Sequence, residues 1–442
     1  MVMNNTDRYL KNLSAMIKQP TVSFYGQDDL SVFYDFHKLL RELFPNLFST
    51  CEIEEFSGSL LMKWKGESSE NPILFMNHHD VVDPQDGSWT HPPFCGEVFD
   101  GKLWGRGCLD NKGGLWGMLQ AADDLISEGF VPAHDIYFES SCNEETDFRG
   151  AAKISEVLYE RGIRFSYILD EGGMIMYEPI GGAKDTFAMI GMGERGCADL
   201  LFTARGNGGH ASSPEKNTPL VRLGKFMADA DTTKAFEVKI SPVIQEMLRR
   251  LAPSVSGPLK RVYANPEKFD ALLRAVMPNT SGTAKALLQS TIAFTMAKGS
   301  EGRNVIPAEA SVVGNMRVSH HQGYEKSLAA ITKLAAKYDI EVTVLDPAID
   351  SPLADYNAAE YKMIEKAVNH AFPDVKPAPY IMTGCSDAKS MAKLSDNCFH
   401  FVPFLIDRQQ MESIHGIDEC VDVSTLAPAV EFYKYLMKEG KK

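Results

Sequence analysis

The sequence lacks paired cysteines and has no surplus of positive charge. Its eight cysteines lie far apart without a CxxC pair, so neither a disulfide framework nor a cysteine-based zinc site is expected. This cysteine pattern predicts a reducing, cytoplasmic location. The formal net charge of -14 argues against a general surface for nucleic acids or anionic membranes.

Long hydrophobic runs are also missing. No apolar stretch approaches the ~18 residues that would indicate a membrane span. The segment 1–20 mixes Asn, Asp, Arg and Lys among its apolar residues, so it is predicted to be a surface helix and not a signal peptide. The glycine-rich turns GRG and GNGG lack the Lys-Ser/Thr ending of a P-loop, which excludes that phosphate-binding motif.

The first part of the chain alternates strand-like and helix-like segments. Short apolar runs predict strands at Pro72–Asn77, His134–Ser140 and Phe165–Leu169, and helical patterns at Gly113–Gly129 and Ala151–Arg161 separate them. This alternation predicts an α/β sheet with helices on both faces.

The pattern changes near residues 191–196 and returns to α/β near residue 352. Between these points the spacing predicts four half-exposed strands and two helices: strands at Ala198–Arg205, Thr291–Lys298, Ser311–Ser319 and Ile340–Leu345, and helices at Thr218–Ala230 and Gln322–Tyr338. Two helices on one face of a four-stranded sheet form an α+β unit.

Two domains are expected from a length of 442 residues. The predicted α/β catalytic domain is discontinuous and contains residues 1–193 and 350–442. The inserted α+β domain, with a ferredoxin-like layout, spans 194–349 and itself contains a helical insertion at about 234–289.

Histidine and acidic side chains gather where the predicted strands and turns end. They are His78, Asp80, Asp110, Glu144, Glu145, Asp170 and Glu171, with His415 as a late addition. Ligands of open α/β sheets bind beyond the carboxyl ends of the strands. These side chains are therefore predicted to converge on one point.

Imidazole and carboxylate ligands suit Zn²⁺ and also Mn²⁺ or Co²⁺. Two histidines and three or more carboxylates exceed the needs of one catalytic zinc, but they fit two ions about 3.5–4 Å apart with a bridging carboxylate. Hydrolysis also requires a general base. The adjacent Glu144 and Glu145 supply it, because neighbouring side chains diverge and only one needs to bind metal.

Eight motifs in one order carry a family resemblance. They are HHDVVDP at 78–84, GRGCLDNKGG at 105–114, NEET at 143–146, DEGG at 170–173, GHASSP at 209–214, NVIP at 304–307, TGCSDA at 383–388 and HGIDE at 415–419. The chain resembles the M20 metallopeptidase family of carboxypeptidases, aminoacylases, dipeptidases and succinyl-diaminopimelate desuccinylase. The resemblance covers about residues 70–420 and is greatest to the carboxypeptidase S branch.

The resemblance implies two divalent ions, Zn²⁺ first and Co²⁺ or Mn²⁺ as alternatives. His78 and Asp170 would bind one ion, Glu145 and His415 the other, and Asp110 would bridge them through a segment whose Asp110–Asn111 peptide is cis. Relatives use either Asp or Glu at the third-strand position, and DEGG offers both. Only one of these two side chains can face the metal if the strand stays regular to its end. Asp170 is preferred over Glu171.

Other matching residues are assigned catalytic roles. Asp80 would hold the His78 imidazole, and Glu144 would be the general base, activating a metal-bridging water, and then the general acid. His210 would stabilise the oxyanion, in its own subunit or in a neighbouring one.

Three residues are assigned to the substrate. Arg317 and Asn304 would bind its free carboxylate, and Gly384 would shape the pocket floor. Cys108, Cys142 and Cys385 lie near the motifs, but no residue supplies a base for a thiol nucleophile, so they are predicted to be packing residues.

The predicted function is hydrolysis of an amide bond next to a free α-carboxylate, in the manner of a carboxypeptidase or dipeptidase. The alternative is an N-acyl amino acid deacylase with the same site, and a remote alternative is a non-catalytic binding protein on this scaffold. The expected partners are a small peptide or N-acyl amino acid and, through the inserted domain, a second copy of the chain. No nucleic acid or membrane partner is expected.

Overall fold

The computed structural model describes residues 5–85, 87–232 and 234–439. Its α-helices are α1 Asn5–Lys18, α2 Ser31–Leu43, α3 Pro45–Thr50, α4 Lys112–Ser127, α5 Arg149–Glu160, α6 Pro219–Thr232, α7 Pro242–Leu251, α8 Gly257–Ala264, α9 Asp270–Val276, α10 Gly282–Leu288, α11 Tyr324–Ala336, α12 Ala359–Ala371, α13 Ala388–Met391, α14 Arg408–Ser413 and α15 Leu426–Glu439.

The strands lie between these helices along the chain. They are β1 Glu52–Phe56, β2 Ser59–Trp64, β3 Ser68–Met76, β4 Glu97–Phe99, β5 Lys102–Trp104, β6 His134–Ser140, β7 Tyr167–Asp170, β8 Ile175–Tyr177, β9 Thr186–Glu194, β10 Gly196–Arg205, β11 Gly209–His210, β12 Thr291–Lys298, β13 Val305–Ile306, β14 Glu309–Val318, β15 Glu341–Asp346, β16 Lys376–Met382, β17 Cys398–His400, β18 Leu405–Ile406 and β19 Cys420–Asp422.

A ten-stranded mixed sheet forms the centre of the molecule. Its order is β1-β2-β6-β3-β7-β17-β9-β8-β18, and β16 pairs with β9. Strand β3 shows why the sheet is covered on both faces. Phe75 packs into the larger hydrophobic core, whereas Leu74 and Met76 belong to the core on the opposite face, because successive side chains of a strand alternate. The continuous apolar run at this position is typical of such a buried strand.

The three central strands end at the same edge of the sheet. Strand β3 pairs in parallel with both β6 and β7, so the residues that follow these strands emerge together. This arrangement brings the segments after Met76, Ser140 and Asp170 to one place.

A second, four-stranded antiparallel sheet has the order β12-β14-β10-β15. Helices α6 and α11 contribute Phe226 and Ile331 to its core, together with Phe202 of β10. The predicted fold class, a mixed α/β sheet with an inserted α+β unit, is confirmed. The change from the large to the small sheet falls at Arg195, between β9 and β10.

Helices α7 to α10 of the insertion contribute to the core of the large sheet, whereas Phe236, near the start of the insertion, belongs to the core of the four-stranded sheet. Helix α7 begins after Ser241, whose side chain accepts a hydrogen bond from the Ile244 amide, and has Pro242 in its first turn. Ile244 and Leu248, one turn apart on its buried face, join the larger core with Ile381 of β16. The predicted grouping of residues 234–289 with the inserted domain stays a prediction, and the packing of α7 joins this segment to the core of the large sheet.

Among the residues described, none of the helices has both the length and the apolar character required to cross a membrane.

Candidate metal centre

The carboxylate of Asp110 lies between two imidazoles. Its Oδ1 is 2.9 Å from Nε2 of His78, and its Oδ2 is 3.0 Å from Nε2 of His415. Each oxygen thus faces a different histidine. A carboxylate in this position is suited to bridge two cations.

Two further carboxylates complete the two sides of this arrangement. Oε2 of Glu145 is 3.1 Å from Nε2 of His415, and Oε2 of Glu171 is 3.4 Å from Nε2 of His78. Oε1 of Glu145 is buried without a hydrogen-bond partner, as expected of an atom reserved for a ligand. Potential ligand atoms of His78, Asp110 and Glu145 lie within 4.8 Å of one another, and so do those of His78, Glu144 and Glu171.

The geometry favours Glu171 over the predicted Asp170 as a ligand. Oδ2 of Asp170 accepts hydrogen bonds from the Ser386 hydroxyl at 2.7 Å and the Ala388 amide at 3.0 Å. Strand β7 ends at Asp170, so the next side chain points to the opposite side and reaches His78. Asp170 instead holds the loop after β16. The proposal below therefore uses Glu171 as the ligand in place of Asp170.

Asp80 fixes both the histidine and the glutamate pair. Nδ1 of His78 is 2.9 Å from the Asp80 carbonyl oxygen and 3.4 Å from its Oδ1. The Asp80 carboxylate also accepts the backbone amides of Glu144 and Glu145, each at 3.1 Å, and the Ser23 hydroxyl at 2.7 Å. Because Nδ1 faces the Asp80 carbonyl and donates to it, Nε2 is left as the free ligand atom.

Glu419 holds the loop that carries Asp110, a role that the sequence analysis missed. Its buried carboxylate accepts the amides of Gly107, Leu109 and Asp110 at 3.0, 2.8 and 3.1 Å. It also accepts Nη1 of Arg106 at 2.7 Å. The Asp110–Asn111 peptide is cis. The only signal in the sequence was the position of Glu419 in the HGIDE motif beside His415.

Burial and mutual repulsion disturb the ionisation of the centre. Burial, followed by the charge of Glu171, raises the pKa of Glu144 well above its usual range. Burial raises the pKa of Glu171 to about 8. Hydrogen bonds with Asp110 and Glu145 raise the pKa of His415 to about 10. These carboxylates outnumber the imidazoles, so divalent cations would compensate charges that are otherwise costly to bury.

Arg317 contacts the loop that contains Gly384. Nη1 of Arg317 is 2.9 Å from Sγ of Cys385, and Cys385 follows Gly384 in the loop after β16. The next residue of the loop, Ser386, donates to Asp170. Arg317 of the smaller sheet therefore contacts a loop that is anchored by Asp170, the residue before Glu171.

His210 and Asn304 are not brought into the buried cluster. The two-stranded ribbon β11–β13 carries His210, whose ring is 2.8 Å from the Ser212 hydroxyl. The carbonyl of Asn304 accepts the Ala211 amide at 2.9 Å. Both side chains are exposed. Their predicted contact with a substrate requires movement of the ribbon or a neighbouring subunit.

The profile of Peptidase family M20/M25/M40 matches residues 74–439. The chain belongs to this family. A "Probable carboxypeptidase S-like 2" of Dictyostelium discoideum is 29% identical over 96% of this chain and 83% of its own length. The human "N-fatty-acyl-amino acid synthase/hydrolase PM20D1" is 29% identical over 97% of this chain and 87% of its own length.

A similar fold is found in the solved M20 family metallo-carboxypeptidase Sso-CP2 of Sulfolobus solfataricus. The two structures align with a TM-score of 0.72 and 15% identity over 100% of each chain. The predictions of an M20 enzyme and a hydrolase are confirmed. In this M20 hydrolase the histidine and carboxylate groups described above can hold metal ions.

Proposed function

We propose that this M20 hydrolase uses two divalent ions to cleave an amide bond next to a free α-carboxylate, as a carboxypeptidase or dipeptidase does. The observation that carries the proposal is the Asp110 carboxylate, whose two oxygens face His78 at 2.9 Å and His415 at 3.0 Å. The buried Glu144 beside this cluster supplies the base that such a reaction needs.

The donor set fits two cations. His78, Asp110 and Glu171 would hold one ion, and Asp110, Glu145 and His415 would hold the other. Nitrogen and carboxylate donors suit Zn²⁺, with Co²⁺ and Mn²⁺ as alternatives. Such ions, when bound, polarise an amide carbonyl and lower the pKa of water.

Glu144 would transfer the proton in the reaction. Its backbone is fixed by Asp80, and its side chain is buried next to Glu171. A raised pKa suits a carboxylate that first accepts a proton from the attacking water and then donates it to the leaving amine. Asp80 is a positioning residue for this step.

The substrate carboxylate would be bound by Arg317 and Asn304. A guanidinium presents a planar fork that matches a carboxylate, and Arg317 already contacts the loop that contains Gly384. His210 would stabilise the oxyanion after the ribbon β11–β13 approaches the centre.

The first test is metal dependence. Treatment with a chelator should abolish the release of a free amino acid from peptides, and Zn²⁺, Co²⁺ or Mn²⁺ should restore it. Glu144→Gln should lose turnover while retaining bound metal, measured by elemental analysis. Turnover in Glu144→Gln at the wild-type rate would exclude this mechanism, and an inactive wild type with bound metal would favour the non-catalytic alternative.

A second candidate substrate class is N-acyl amino acids. The human relative named as an N-fatty-acyl-amino acid synthase/hydrolase aligns over 97% of this chain. Both classes present an amide next to an α-carboxylate, so the same centre serves both. Parallel assays of peptides and of N-acetyl and long-chain N-acyl amino acids separate the two substrate classes, because these substrates differ on the acyl side. C-terminally blocked and unblocked peptides test whether the free carboxylate is required.

A further inference from the structure

Two cysteines meet at the junction of the two sheets. Cys197 lies on β10 of the smaller sheet, where its cross-strand partner is Arg317 of β14. Cys385 lies in the loop that follows β16 of the large sheet. The two residues are far apart in the sequence, but side chains of β14 join them: Arg317 donates to the Cys385 sulfur and to Oδ1 of Asn315, and Asn315 donates to the Cys197 sulfur.

Polar groups of both sheets surround the pair. Nη1 of Arg317 is 2.9 Å from Sγ of Cys385, and Nδ2 of Asn315 is 3.4 Å from Sγ of Cys197. Sγ of Cys385 also lies 3.1 Å from the Arg195 carbonyl oxygen. Both cysteines are only partly buried.

The environment favours a thiolate at Cys197. Among the described residues, no salt bridge joins Arg195 or Arg317 to a carboxylate. Arg195 is almost fully buried. The hydrogen bond with Cys385, aided by the charge of Arg317, lowers the pKa of Cys197 to about 6. The same contact and burial raise the pKa of Cys385 well above its usual value. Such a difference is typical of an attacking and a resolving thiol.

We propose that Cys197 and Cys385 are a redox site that a hydroperoxide oxidises to a reversible disulfide, which ties the smaller sheet to the loop beside the metal centre. This revises the packing role predicted for Cys385.

The chemistry balances with hydrogen peroxide as the oxidant. The Cys197 thiolate attacks one peroxide oxygen, the O–O bond breaks, and the hydroxide that leaves takes up a proton to become water. The Cys385 thiol then attacks the sulfenic sulfur, the S–O bond breaks, and a second water leaves. Two electrons pass from the two sulfurs to the peroxide, and a dithiol such as dithiothreitol reverses the oxidation by exchange.

The consequence for activity rests on the proposed function. Arg317, the proposed carboxylate-binding residue, is hydrogen-bonded to Cys385 and lies opposite Cys197 on the neighbouring strand. A disulfide at this point would restrain the movement of the smaller sheet towards the metal centre that closure requires. We therefore expect the oxidised enzyme to lose most of its turnover.

Alkylation of the reduced protein tests the reactivity of Cys197. Iodoacetamide should modify Cys197 at neutral pH faster than Cys51, which is also partly buried but whose pKa burial raises to about 12. Because the thiolate is present above its pKa, the rate at Cys197 should fall only as the pH drops through about 6. Peptide mass spectrometry measures both rates, and equal labelling at neutral pH would contradict the proposal.

Peroxide treatment of the metal-loaded enzyme tests the disulfide itself. Peptide mapping should find a Cys197–Cys385 linked peptide that has lost two hydrogen atoms and disappears with dithiothreitol. Cys197→Ser and Cys385→Ser should each abolish the linked peptide, whereas the control Cys51→Ser should retain it. Oxidation of other cysteines without this linkage would overturn the proposal, whether or not the enzyme turns over any tested substrate.

Turnover measured on the same samples tests the regulatory part. Wild type and Cys51→Ser should lose activity with peroxide and recover it with dithiothreitol. Cys197→Ser and Cys385→Ser should keep their activity relative to their own untreated samples. A linked peptide with unchanged turnover would overturn the regulatory effect. An enzyme that lacks turnover before oxidation would bear only on the proposed function.

Discussion

At the scale of single residues, the side chains around the centre are positioned by carboxylates that do not bind metal in our proposal. Asp80 joins His78 to the amides of Glu144 and Glu145, and Glu419 gathers the amides that precede Asp110. A carboxylate that accepts several backbone amides fixes a loop, because every bond is charge-assisted. Some of the acidic residues of the sequence are therefore buried and hold loops in place.

The choice between Asp170 and Glu171 can be tested by metal content. Glu171→Gln should lose affinity for one of two ions, because its Oε2 faces His78. Asp170→Asn should keep both ions but lose about 1.5–3 kcal/mol of unfolding free energy, as expected when a charge-assisted acceptor is weakened. Elemental analysis after dialysis and denaturant unfolding provide the two readouts. Loss of an ion in Asp170→Asn alone would restore the original assignment.

Glu419 should be required for stability although it is absent from the proposed ligand set. Glu419→Ala leaves the buried Arg106 without its partner and should cost about 3–5 kcal/mol of unfolding free energy. The control Glu412→Ala removes a carboxylate whose ion pair with Arg408 is exposed and should leave stability almost unchanged. Equal unfolding midpoints for the two variants would show that Glu419 does not hold the loop.

At the scale of elements, one helix joins segments that are distant in the sequence. Helix α7 lies in the insertion between β11 and β12, yet its apolar face packs into the core of the large sheet. The same helix forms an ion pair with α12, through Arg250 and Glu365. The insertion therefore contributes to the stability of the large sheet.

Truncation of the buried face of α7 should destabilise the large sheet. Leu248 is fully buried, and Leu248→Ala should lower the unfolding free energy by about 2–5 kcal/mol. Leu272 of α9 is 49% exposed, so the matched Leu272→Ala should have little effect. Chemical denaturation of both variants supplies the comparison, and a small loss for Leu248→Ala would indicate that the insertion packs loosely.

At the scale of the whole molecule, the proposed site is divided between the two sheets. The candidate metal ligands His78, Glu145 and Glu171 follow strands of the large sheet, Arg317 of the smaller sheet contacts the loop after β16, and the exposed His210 lies on the ribbon β11–β13. A complete site therefore requires closure within one chain or the approach of a second copy. Dimer formation stays a prediction.

Mixed variants distinguish the two arrangements. His210→Ala and Arg317→Ala should each be inactive alone, and their mixture should regain turnover if His210 enters the site of a neighbouring subunit. Light scattering of each protein provides the solution mass as a control. A monomeric mass with no gain on mixing would place His210 and Arg317 in the same chain as the centre that they serve.

Local patterns in the sequence were sufficient to predict the main elements and the convergence of histidine and acidic side chains beyond the strand ends, whereas the individual roles of these side chains stay predictions. The apolar run before His78 predicted a buried strand, and parallel pairing of β3, β6 and β7 explains why the residues after them meet. Asp170 was preferred over Glu171, but two neighbouring carboxylates cannot be told apart as metal ligands from the sequence. The hydrogen bonds of Asp170 with Ser386 and Ala388, more than two hundred residues away, and the approach of Glu171 to His78 distinguish them.

What the sequence determined by itself is the M20 family and a hydrolase, together with histidine and carboxylate side chains of the types that can hold metal ions, because ordered motifs at strand ends encode local chemistry. The tertiary structure decided which carboxylate faces His78, where the helical insertion packs, and that Cys197 meets Cys385. These facts depend on contacts between segments far apart in the chain, and such contacts form only when hydrophobic burial brings the sheets together.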